Sequence, residues 1–509
     1  MLAKVVSCAV TGVDGFLIRV EVDLARGLPS FSTVGLPEGA VREAKDRVRA
    51  AIKNSGYEFP SRRITVNLAP ASVKKAGTGY DLPIALGILT AAGTLRDDLL
   101  TGTVFTGELS LDGSVRPVPG VLPMALAARA EGVRRFLVPA ENAAEAAIVS
   151  GLKVYGIERL DQAVSFLAGV SDLEPKEIDL DNLFAQQGAY TFDFAEVRGQ
   201  EYAKRALEIA AAGGHNMLLS GVPGSGKTMM ARRLPSILPD LTLEEAIETT
   251  KVFSTAGLLP ADMPLLVTRP FRAPHHTVSD AGLIGGGQIP RPGEVSLAHN
   301  GILFLDELPE FKKHVLEVLR QPLEDGTVSI ARAAVSLNFP ARIMLVAAMN
   351  PCPCGFQGDQ VRECTCTPFQ VQRYRSRLSG PLLDRIDMHI EVPAVQVKEL
   401  VNQPDGEPSV SIRKRVNQAR ARQRQRFAGV SRVYCNAQMN TTQVKNYCRL
   451  DTASANLLSQ AITSLGLSAR AYHRILKIAR TIADLAGDAS PTMSHVAEAV
   501  QYRRVQYDL

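Results

Sequence analysis

Short apolar runs alternate with stretches of helical periodicity along the first 170 residues. Alternating apolar and polar positions near 3–11 and 14–24 predict a β-hairpin. A strand pattern at 64–68 lies between helical patterns near 38–54 and 81–93, and further strand–helix pairs follow. Because strands and helices alternate, this part of the chain is predicted to form a complete α/β domain.

The pattern changes twice further along the chain. An acidic, polar and weakly periodic stretch is typical of a linker, and a later turn-rich segment introduces a region with only helical periodicity. No internal repeat is visible. The predicted organisation is an α/β domain at 1–170, a linker at 171–192, a second α/β domain at 193–395 and a helical domain at 396–509.

The segment Gly-Val-Pro-Gly-Ser-Gly-Lys-Thr at 221–228 matches the phosphate-binding pattern G-x-x-x-x-G-K-[ST]. A short apolar strand precedes it and a helical pattern follows, which is the context that this motif requires. Lys227 would reach the β- and γ-phosphates of a nucleotide, and the Thr228 hydroxyl would bind Mg²⁺. The predicted nucleotide contacts of this loop are Gly221, Gly224, Ser225, Gly226, Lys227 and Thr228.

A second apolar run, 301–305, ends in Asp306 and Glu307. Buried parallel strands have this composition, and ligand-binding groups lie at their carboxyl ends. Asp306 would hold Mg²⁺ through water, and Glu307 would polarise the attacking water. Together with the phosphate loop, the acid pair predicts a protein that binds a nucleoside triphosphate with Mg²⁺ and hydrolyses it.

The composition of the 509-residue chain fits several globular domains, since 46% of residues are hydrophobic and 21% charged. The net charge of +5 permits an anionic partner without requiring one, and the absence of Trp disfavours base stacking as the main binding mode. No apolar stretch is long enough for a membrane helix, and the N-terminus lacks a signal-peptide core. We therefore expect a cytoplasmic protein with no membrane partner.

Four of the seven cysteines form two C-x-C pairs, Cys352 with Cys354 and Cys364 with Cys366. Four clustered thiolates could enclose Zn²⁺ tetrahedrally. The alternative is a set of free buried thiols, because C-x₂-C is the more usual zinc spacing.

Segments 193–200, 343–350, 379–387 and 468–485 resemble, together with the phosphate loop, the motifs of AAA+ ATPases. The first segment contains Val197 and lies over the adenine in that family; the other three correspond to sensor 1, the arginine-finger box and sensor 2. The chain thus resembles an AAA+ P-loop ATPase core followed by a C-terminal helical lid domain.

The AAA+ resemblance implies roles for individual side chains. Asn350 would orient the lytic water or sense the γ-phosphate. Arg385 would be an arginine finger that acts on ATP held by the neighbouring subunit, with a local Asp–Arg pair as the alternative. Arg470 would be sensor 2, with Arg474 as the competing candidate one turn later.

Four segments, 271–277, 301–307, 350–355 and 379–387, occur in the order found in the magnesium-chelatase-like ComM/YifB family of bacterial AAA+ ATPases. This resemblance covers nearly the whole chain. It implies a hexameric motor that binds single-stranded or branched DNA and acts as a helicase or branch-migration factor in recombination and natural transformation. The His275–His276 pair within the first segment is interpreted as structural or loop-positioning; the alternative of a metal site is weakened because no carboxylate or cysteine lies at helical spacing from the pair.

The N-terminal domain resembles the proteolytic domain of Lon-type proteases. Asp81 takes the place of their nucleophilic serine, and Leu122 takes the place of their activating lysine. Because a carboxylate and an alkyl group cannot form a Ser–Lys dyad, the domain is predicted to be catalytically inactive. A role in DNA contact or ring stability is expected instead.

Three elements are candidates for DNA contact. Alternation over 327–336 predicts a hairpin with Arg332 near its tip, and in the resembled family such a hairpin lines the central pore. Arg291 would lie on a second pore loop. The basic segment 413–426 is a third candidate, or else a solvated or packed helix.

Three other functions compete with the DNA motor. The motor subunit of a metal chelatase would remodel a protein partner, but would lack the N-terminal domain. An ATP-dependent protease is opposed by Asp81 and Leu122. A nucleotide switch without catalysis would need neither Glu307 to polarise water nor Arg385 as an arginine finger.

Overall fold

The computed structural model describes residues 1–185, 190–260, 262–287, 290–332, 335–359, 361–394, 406–430 and 433–503. These residues form two compact units: unit 1 comprises Met1–Ala185 with Leu243–Leu266, and unit 2 comprises Gln186–Thr242 with Val267–Leu509. The grouping differs from the boundaries expected from the sequence. Residues 243–266 pack with the N-terminal unit although they lie between the phosphate loop and the acid pair in the chain.

Unit 1 is an α/β unit built on a mixed sheet. The predicted hairpin is present, with Leu2–Thr11 antiparallel to Asp14–Ala25 and Thr11 paired with Asp14. Among the described residues of this unit, the strand order across the sheet is Ser30–Val34, Arg63–Ala69, Asp14–Ala25, Leu2–Thr11, Thr103–Phe105, Arg135–Pro139 and Lys153–Ile157. A short antiparallel pair, Glu108–Leu109 with Val115–Arg116, lies beside it.

Helices cover the sheet of unit 1 because their apolar faces match it. Helix Gly39–Asn54 buries Val41, Ala44, Val48, Ala51 and Ile52, a spacing that defines one helix face. The α-helices of this unit are Gly39–Asn54, Asp81–Ala92, Val121–Ala130, Ala143–Ala147, Leu160–Leu167, Leu180–Ala185 and Leu243–Ala256. Helix Leu180–Ala185 lies within the stretch that was expected to be a linker.

Unit 2 contains a parallel sheet of short strands, and its strands Ile302–Leu305 and Met344–Met349 are wholly apolar and buried, as expected for strands covered on both faces. In its described part the strand order is Phe271–Arg272, Ile302–Leu305, Met344–Met349, Met217–Ser220 and Met388–Glu391, with every pairing parallel. Two separate antiparallel pairs are Gly285–Gly286 with Arg291–Pro292, and Thr327–Arg332 with Val335–Pro340.

The C-terminal helices pack within unit 2 and share its apolar core. Helix Glu201–Gly213 forms part of that core between the sheet and the long helices Ser409–Arg426 and Ala469–Ala486. The α-helices of unit 2 are Glu201–Gly213, Lys227–Arg233, Asp280–Ile284, Glu294–Leu297, Lys313–Glu317, Arg320–Asp325, Pro368–Arg375, Gly380–Leu383, Ser409–Arg426, Thr441–Tyr447, Thr452–Leu465, Ala469–Ala486 and Met493–Gln501.

A buried carboxylate fixes the inserted helix Leu243–Ala256 in unit 1. Glu145 accepts hydrogen bonds from the backbone N–H of Leu122 at 2.9 Å, from Asn142 Nδ2 at 3.2 Å and from the Ser254 hydroxyl. Burial raises the pKa of Glu145, while these donors oppose the rise. Since its polar partners come from separate segments, Glu145 ties the inserted helix to the rest of the unit.

We predict that Glu145→Ala lowers the free energy of local unfolding of helix Leu243–Ala256 by about 2 kcal/mol, because it leaves buried donors without acceptors. Hydrogen exchange of the helix amides measures this. Glu141→Ala is the matched control, since Glu141 is exposed on the same segment. Equal protection of the helix in both variants would contradict the anchoring role.

Candidate nucleotide-binding site

The phosphate loop connects strand Met217–Ser220 to helix Lys227–Arg233. Gly224 and Gly226 have φ values of 80° and 86°, a left-handed conformation that glycine adopts without strain. A Cβ on Gly221 would lie 2.2 Å from the carbonyl oxygen of Val392, so a larger residue does not fit there. The glycines of the motif are therefore required by the backbone path of the loop.

Lys227 lies inside the loop and is connected to the neighbouring strand. Its Nζ donates to the carbonyl oxygens of Gly221 at 2.7 Å and Val222 at 2.9 Å, and to Asn350 Oδ1 at 3.3 Å. Burial lowers the pKa of Lys227. Asn350 follows the buried strand Met344–Met349, so the structure brings together the predicted phosphate lysine and the predicted sensor.

Thr228 and Asp306 meet at the end of the next strand. The Thr228 hydroxyl donates to Asp306 Oδ2 at 2.7 Å. A hydroxyl and a carboxylate oxygen are the protein ligands that Mg²⁺ takes beside water and nucleotide phosphates. These two side chains therefore fit the predicted magnesium site.

Glu307 follows Asp306 in a left-handed conformation with φ 52°, which is uncommon for a residue with a side chain. Its backbone N–H donates to Asp306 Oδ1 at 2.9 Å, and its side chain is 56% exposed. His276 Nδ1 lies 3.5 Å from Glu307 Oε2. The Glu307 carboxylate is thus largely exposed and lies close to an imidazole.

Two residues of this site were not predicted from the sequence. The sequence indicates a structural or loop-positioning role for His276 but not its contact with Glu307, which follows from the parallel pairing of Phe271–Arg272 with Ile302–Leu305. Gln200 donates from Nε2 to the carbonyl oxygens of Ser225 at 2.8 Å and Pro393 at 3.1 Å. It connects the segment that carries the buried Val197 to the phosphate loop.

The four clustered cysteines lie directly after Asn350. Their sulfur atoms are all within 4.8 Å of one another, and three of the sulfur–sulfur distances are 3.3, 3.6 and 3.7 Å. The backbone N–H of Cys354 donates to the Cys366 sulfur at 3.4 Å. This geometry fits a tetrahedral metal ion, because sulfurs held at Zn–S distances of about 2.3 Å lie close to one another.

Comparison with known proteins identifies the family. Residues 20–142 match the family described as "Subunit ChlI of Mg-chelatase", 193–400 match "Magnesium chelatase, subunit ChlI", and 406–503 match "Magnesium chelatase, subunit ChlI C-terminal". The chain is 47% identical over 507 residues to the competence protein ComM of Haemophilus influenzae, covering 99% of this chain and 97% of ComM. The chain belongs to the magnesium-chelatase-like ComM/YifB family.

Two further relatives show how far the similarity extends. YifB of Escherichia coli is 44% identical over 503 residues, which cover 98% of this chain and 96% of YifB. The magnesium-chelatase 38 kDa subunit of Rhodobacter capsulatus is 30% identical over 179 residues, which cover 31% of this chain and 50% of that subunit. The resemblance inferred from the sequence motifs is thereby confirmed.

The structure places Arg385 differently from the expected arginine finger. Its side chain is 4% exposed, donates from Nη1 to the Pro381 carbonyl oxygen at 2.7 Å and pairs with Glu324. In the described residues Arg385 thus forms a local ion pair, with Glu324 in the place of the Asp that the alternative interpretation named. Arg474 pairs with Asp387 and donates to the Arg385 carbonyl oxygen. Arg470 is exposed.

Asp387 connects Arg474 to the residue that precedes strand Met217–Ser220. It is almost fully buried; burial raises the pKa of Asp387, but Arg474 and His215 more than offset that effect and hold the pKa below its usual range. The carboxylate accepts from the backbone N–H of Asn216 at 3.0 Å, and Asn216 Oδ1 accepts from Leu345 N at 2.8 Å. Arg474 therefore has a structural partner, which favours Arg470 as the sensor 2 candidate.

The two predicted DNA loops lie against each other. Strands Thr327–Arg332 and Val335–Pro340 form the expected hairpin, with Arg332 paired in register with Val335; the side chain of Arg332 lies outside the described residues. Arg291 is exposed on the neighbouring strand pair. A Cβ on Gly285 would lie 2.8 Å from Ile330 Cδ1, which shows how closely the two pairs pack.

The basic helix Ser409–Arg426 is used mainly for packing. Arg415 pairs with Glu208 at 2.6 Å, and Arg420 Nη2 donates to the Ala211 carbonyl oxygen at 3.1 Å. Arg426 pairs with Asp484, which is fully buried. The packed-helix alternative is thus the better description of most of this segment.

In unit 1, Asp81 and Leu122 are both buried. Arg47 donates from Nε and Nη2 to the two Asp81 oxygens at 2.7 and 3.0 Å. Burial raises the pKa of Asp81 to about 6, against the lowering effect of Arg47. Asp81 is thus held in an internal ion pair. Over the described ranges of both units, no helix combines the length and apolar character needed to cross a membrane.

We predict that His276→Ala lowers kcat for ATP hydrolysis about tenfold with little change in ATP affinity, because the exposed Glu307 carboxylate loses a positioning partner while the phosphate loop is untouched. Steady-state kinetics and nucleotide binding measure the two effects. His314→Ala is the control, since His314 is exposed and its Nε2 lies 3.3 Å from Asp280 Oδ1. A kcat equal to that of the control would show that His276 does not position Glu307.

Proposed function

We propose that this protein is a ring-forming DNA motor that hydrolyses ATP and acts as a helicase or branch-migration factor in recombination and natural transformation. One observation carries the enzymatic part of the proposal. Lys227, Thr228, Asp306, Glu307 and Asn350 converge at one edge of the parallel sheet. Residues of these types at this edge bind and hydrolyse a nucleoside triphosphate.

Each side chain has a distinct part in the proposed reaction. Loop amides and Lys227 hold the phosphates, and the N-terminus of helix Lys227–Arg233 adds partial positive charge. Thr228 and Asp306 hold Mg²⁺, which neutralises phosphate charge when bound. Glu307 accepts a hydrogen bond from the attacking water and draws its proton, and Asn350 orients that water or the γ-phosphate.

The DNA part of the proposal is supported by the adjacent hairpins and by the relatives. ComM of Haemophilus influenzae is named a competence protein and matches along nearly the full length of this chain. Arg291 and the hairpin that ends near Arg332 give basic groups on neighbouring loops. Lys and Arg side chains bind phosphate without reading sequence, as a translocating motor requires.

The ring is a proposal that rests on the family. In a hexamer, exposed Arg470 would serve as sensor 2 at the nucleotide site. Arg385 could act on a neighbour's ATP only after it leaves Glu324. Unit 1 would contact DNA or stabilise the ring, and its buried Asp81–Arg47 pair supports a domain without peptidase activity.

The main alternative is an ATP-driven subunit that remodels a protein partner in a magnesium-chelatase-like complex. All three matched families carry chelatase descriptions, including the one matched by residues 20–142. The extent of the similarity supports the DNA motor, because ComM aligns with 99% of this chain, whereas the chelatase subunits from Rhodobacter capsulatus and Chlorobaculum parvum align with 31% and 60% of it. ATPase stimulation by DNA, compared across single strands, duplexes and four-way junctions, separates the two.

Zn²⁺ is the ion that we propose for the cysteine cluster. Four sulfur donors favour zinc over Mg²⁺ or Ca²⁺, which prefer oxygen. Backbone donors such as the Cys354 N–H support thiolate ligands in the way that surrounding groups do at metal centres.

We predict that Lys227→Ala abolishes ATP binding, because the phosphates lose their cationic partner.

Glu307→Gln should retain ATP binding and lose more than about 99% of turnover, since an amide cannot accept the proton of the attacking water. Fluorescent-nucleotide binding and phosphate release measure these outcomes. The control Glu310→Gln alters an exposed acid that pairs with Arg377. Near wild-type hydrolysis by Glu307→Gln would show that another group activates the water.

We predict that Arg332→Ala and Arg291→Ala each weaken DNA binding by a similar factor for every DNA sequence. Each should also reduce the magnitude of the slope of log K for DNA binding against log salt concentration by roughly one. ATPase activity without DNA should persist, whereas its stimulation by DNA and branch migration should fall together. Arg424→Ala is the charge-matched control, because Arg424 is exposed on the basic helix. If Arg424→Ala alone weakens DNA binding, the helix and not the hairpins holds the DNA.

A further inference from the structure

The turn between the first two and the last two cysteines contacts the phosphate loop. Within this turn the Gly355 N–H donates to the Cys352 carbonyl oxygen at 3.0 Å. A Cβ on Gly355 would lie 2.6 Å from Cγ and 2.8 Å from Cδ of Pro223, a residue of the phosphate loop. It would also lie 3.9 Å from Cγ of Asn350. The turn that follows Cys354 is therefore packed directly against the phosphate loop.

The cysteine segment is fixed at both ends to parts of the ATPase core. Asn350, immediately before it, accepts from Lys227 Nζ at 3.3 Å. Helix Pro368–Arg375 follows the segment, and its last residue, Arg375, contacts the segment. Arg375 Nε donates to the Pro351 carbonyl oxygen at 3.3 Å, and Nη2 donates to Gln357 Oε1 at 3.0 Å. Between Asn350 and helix Pro368–Arg375, the buried apolar side chain among the described residues is that of Cys352. This segment therefore has little apolar core of its own. Its conformation thus depends on what links the four sulfurs.

We propose that a metal ion bound by Cys352, Cys354, Cys364 and Cys366 controls nucleotide affinity by holding the Gly355 turn against Pro223 and Asn350 against Lys227. This inference rests on the proposed ATPase function and on the proposed metal site. A metal cross-link fixes a segment that otherwise has many conformations, so its loss releases the turn. Pro223 then loses its support, and the loop amides no longer hold a single arrangement around the phosphates.

Two glycines of the same segment provide a matched pair of variants. Gly355 and Gly358 are both left-handed, with φ values of 87° and 80°, so alanine introduces similar backbone strain at each. A Cβ on Gly358 would meet nothing within 4 Å, whereas one on Gly355 would meet Pro223. The two substitutions therefore differ mainly in whether the contact with the phosphate loop is disturbed.

The test uses the full-length chain. Metal analysis after purification without added zinc should give about one Zn²⁺ per chain for the wild type and both variants. Affinity for a fluorescent ATP analogue with Mg²⁺ should fall at least about tenfold in Gly355→Ala, the size expected when a packed contact is overfilled, and stay near wild type in Gly358→Ala. Equal affinities in the two variants would overturn the coupling while leaving the ATPase proposal intact.

A second arm needs no substitution at the contact and remains decisive if Gly355→Ala does not fold. Zinc is stripped from wild-type protein with a thiol-competing chelator, the chelator is removed, and nucleotide affinity is measured before and after zinc is returned. We expect affinity to fall on stripping and to recover with zinc, and Cys364→Ser to resemble the stripped protein. Unchanged affinity in protein shown to lack zinc, or absence of zinc from the purified wild type, would overturn the inference. Failure of metal-loaded wild type to bind ATP would instead reject the proposed function on which it rests.

Discussion

Parallel strands that lie side by side deliver the residues that follow them to the same edge of their sheet, and the nucleotide site depends on this constraint. Met217–Ser220 pairs with Met344–Met349, which pairs with Ile302–Leu305. Asn350 and Asp306 are far from the phosphate loop in the chain, yet the pairing brings Asn350 to Lys227 and Asp306 to Thr228 within hydrogen-bonding distance. The sheet needs its apolar strands to be buried on both faces, so the helices around it are as necessary to the site as its polar residues.

Features that are determined by local sequence can be predicted from the sequence alone. The glycines of the phosphate loop, the acid pair after an apolar run and the hairpin ending near Arg332 each depend on a short stretch with a characteristic pattern. Arg385, the His276–Glu307 contact and the role of the basic helix depend on which segments pack together. Periodicity alone does not tell whether an arginine faces solvent or an internal acid.

The arginines of the C-terminal region illustrate that limit. Asp484 is fully buried and accepts from Arg426, Arg480 and Asn436. A buried carboxylate is tolerated only with such partners, and removing one of them leaves an uncompensated charge. Sequence alone shows a run of basic residues, which suggests a nucleic-acid surface. The structure shows that several of them neutralise and hydrogen-bond groups inside unit 2.

The non-contiguous composition of unit 1 has a consequence for protein synthesis. The Ser254 hydroxyl donates a hydrogen bond to Glu145, and Ser254 lies in a helix that follows the phosphate loop in the chain. Domains generally fold from the N-terminus as the chain emerges from the ribosome, at about 5–20 residues per second. Here the N-terminal unit cannot complete its buried network until residue 254 has emerged, by which time the first strand of unit 2 and the phosphate loop are already outside. The two units must therefore mature during an overlapping interval of translation, and a ribosome that stalls between residues 190 and 240 would carry an N-terminal unit that still lacks one of its helices.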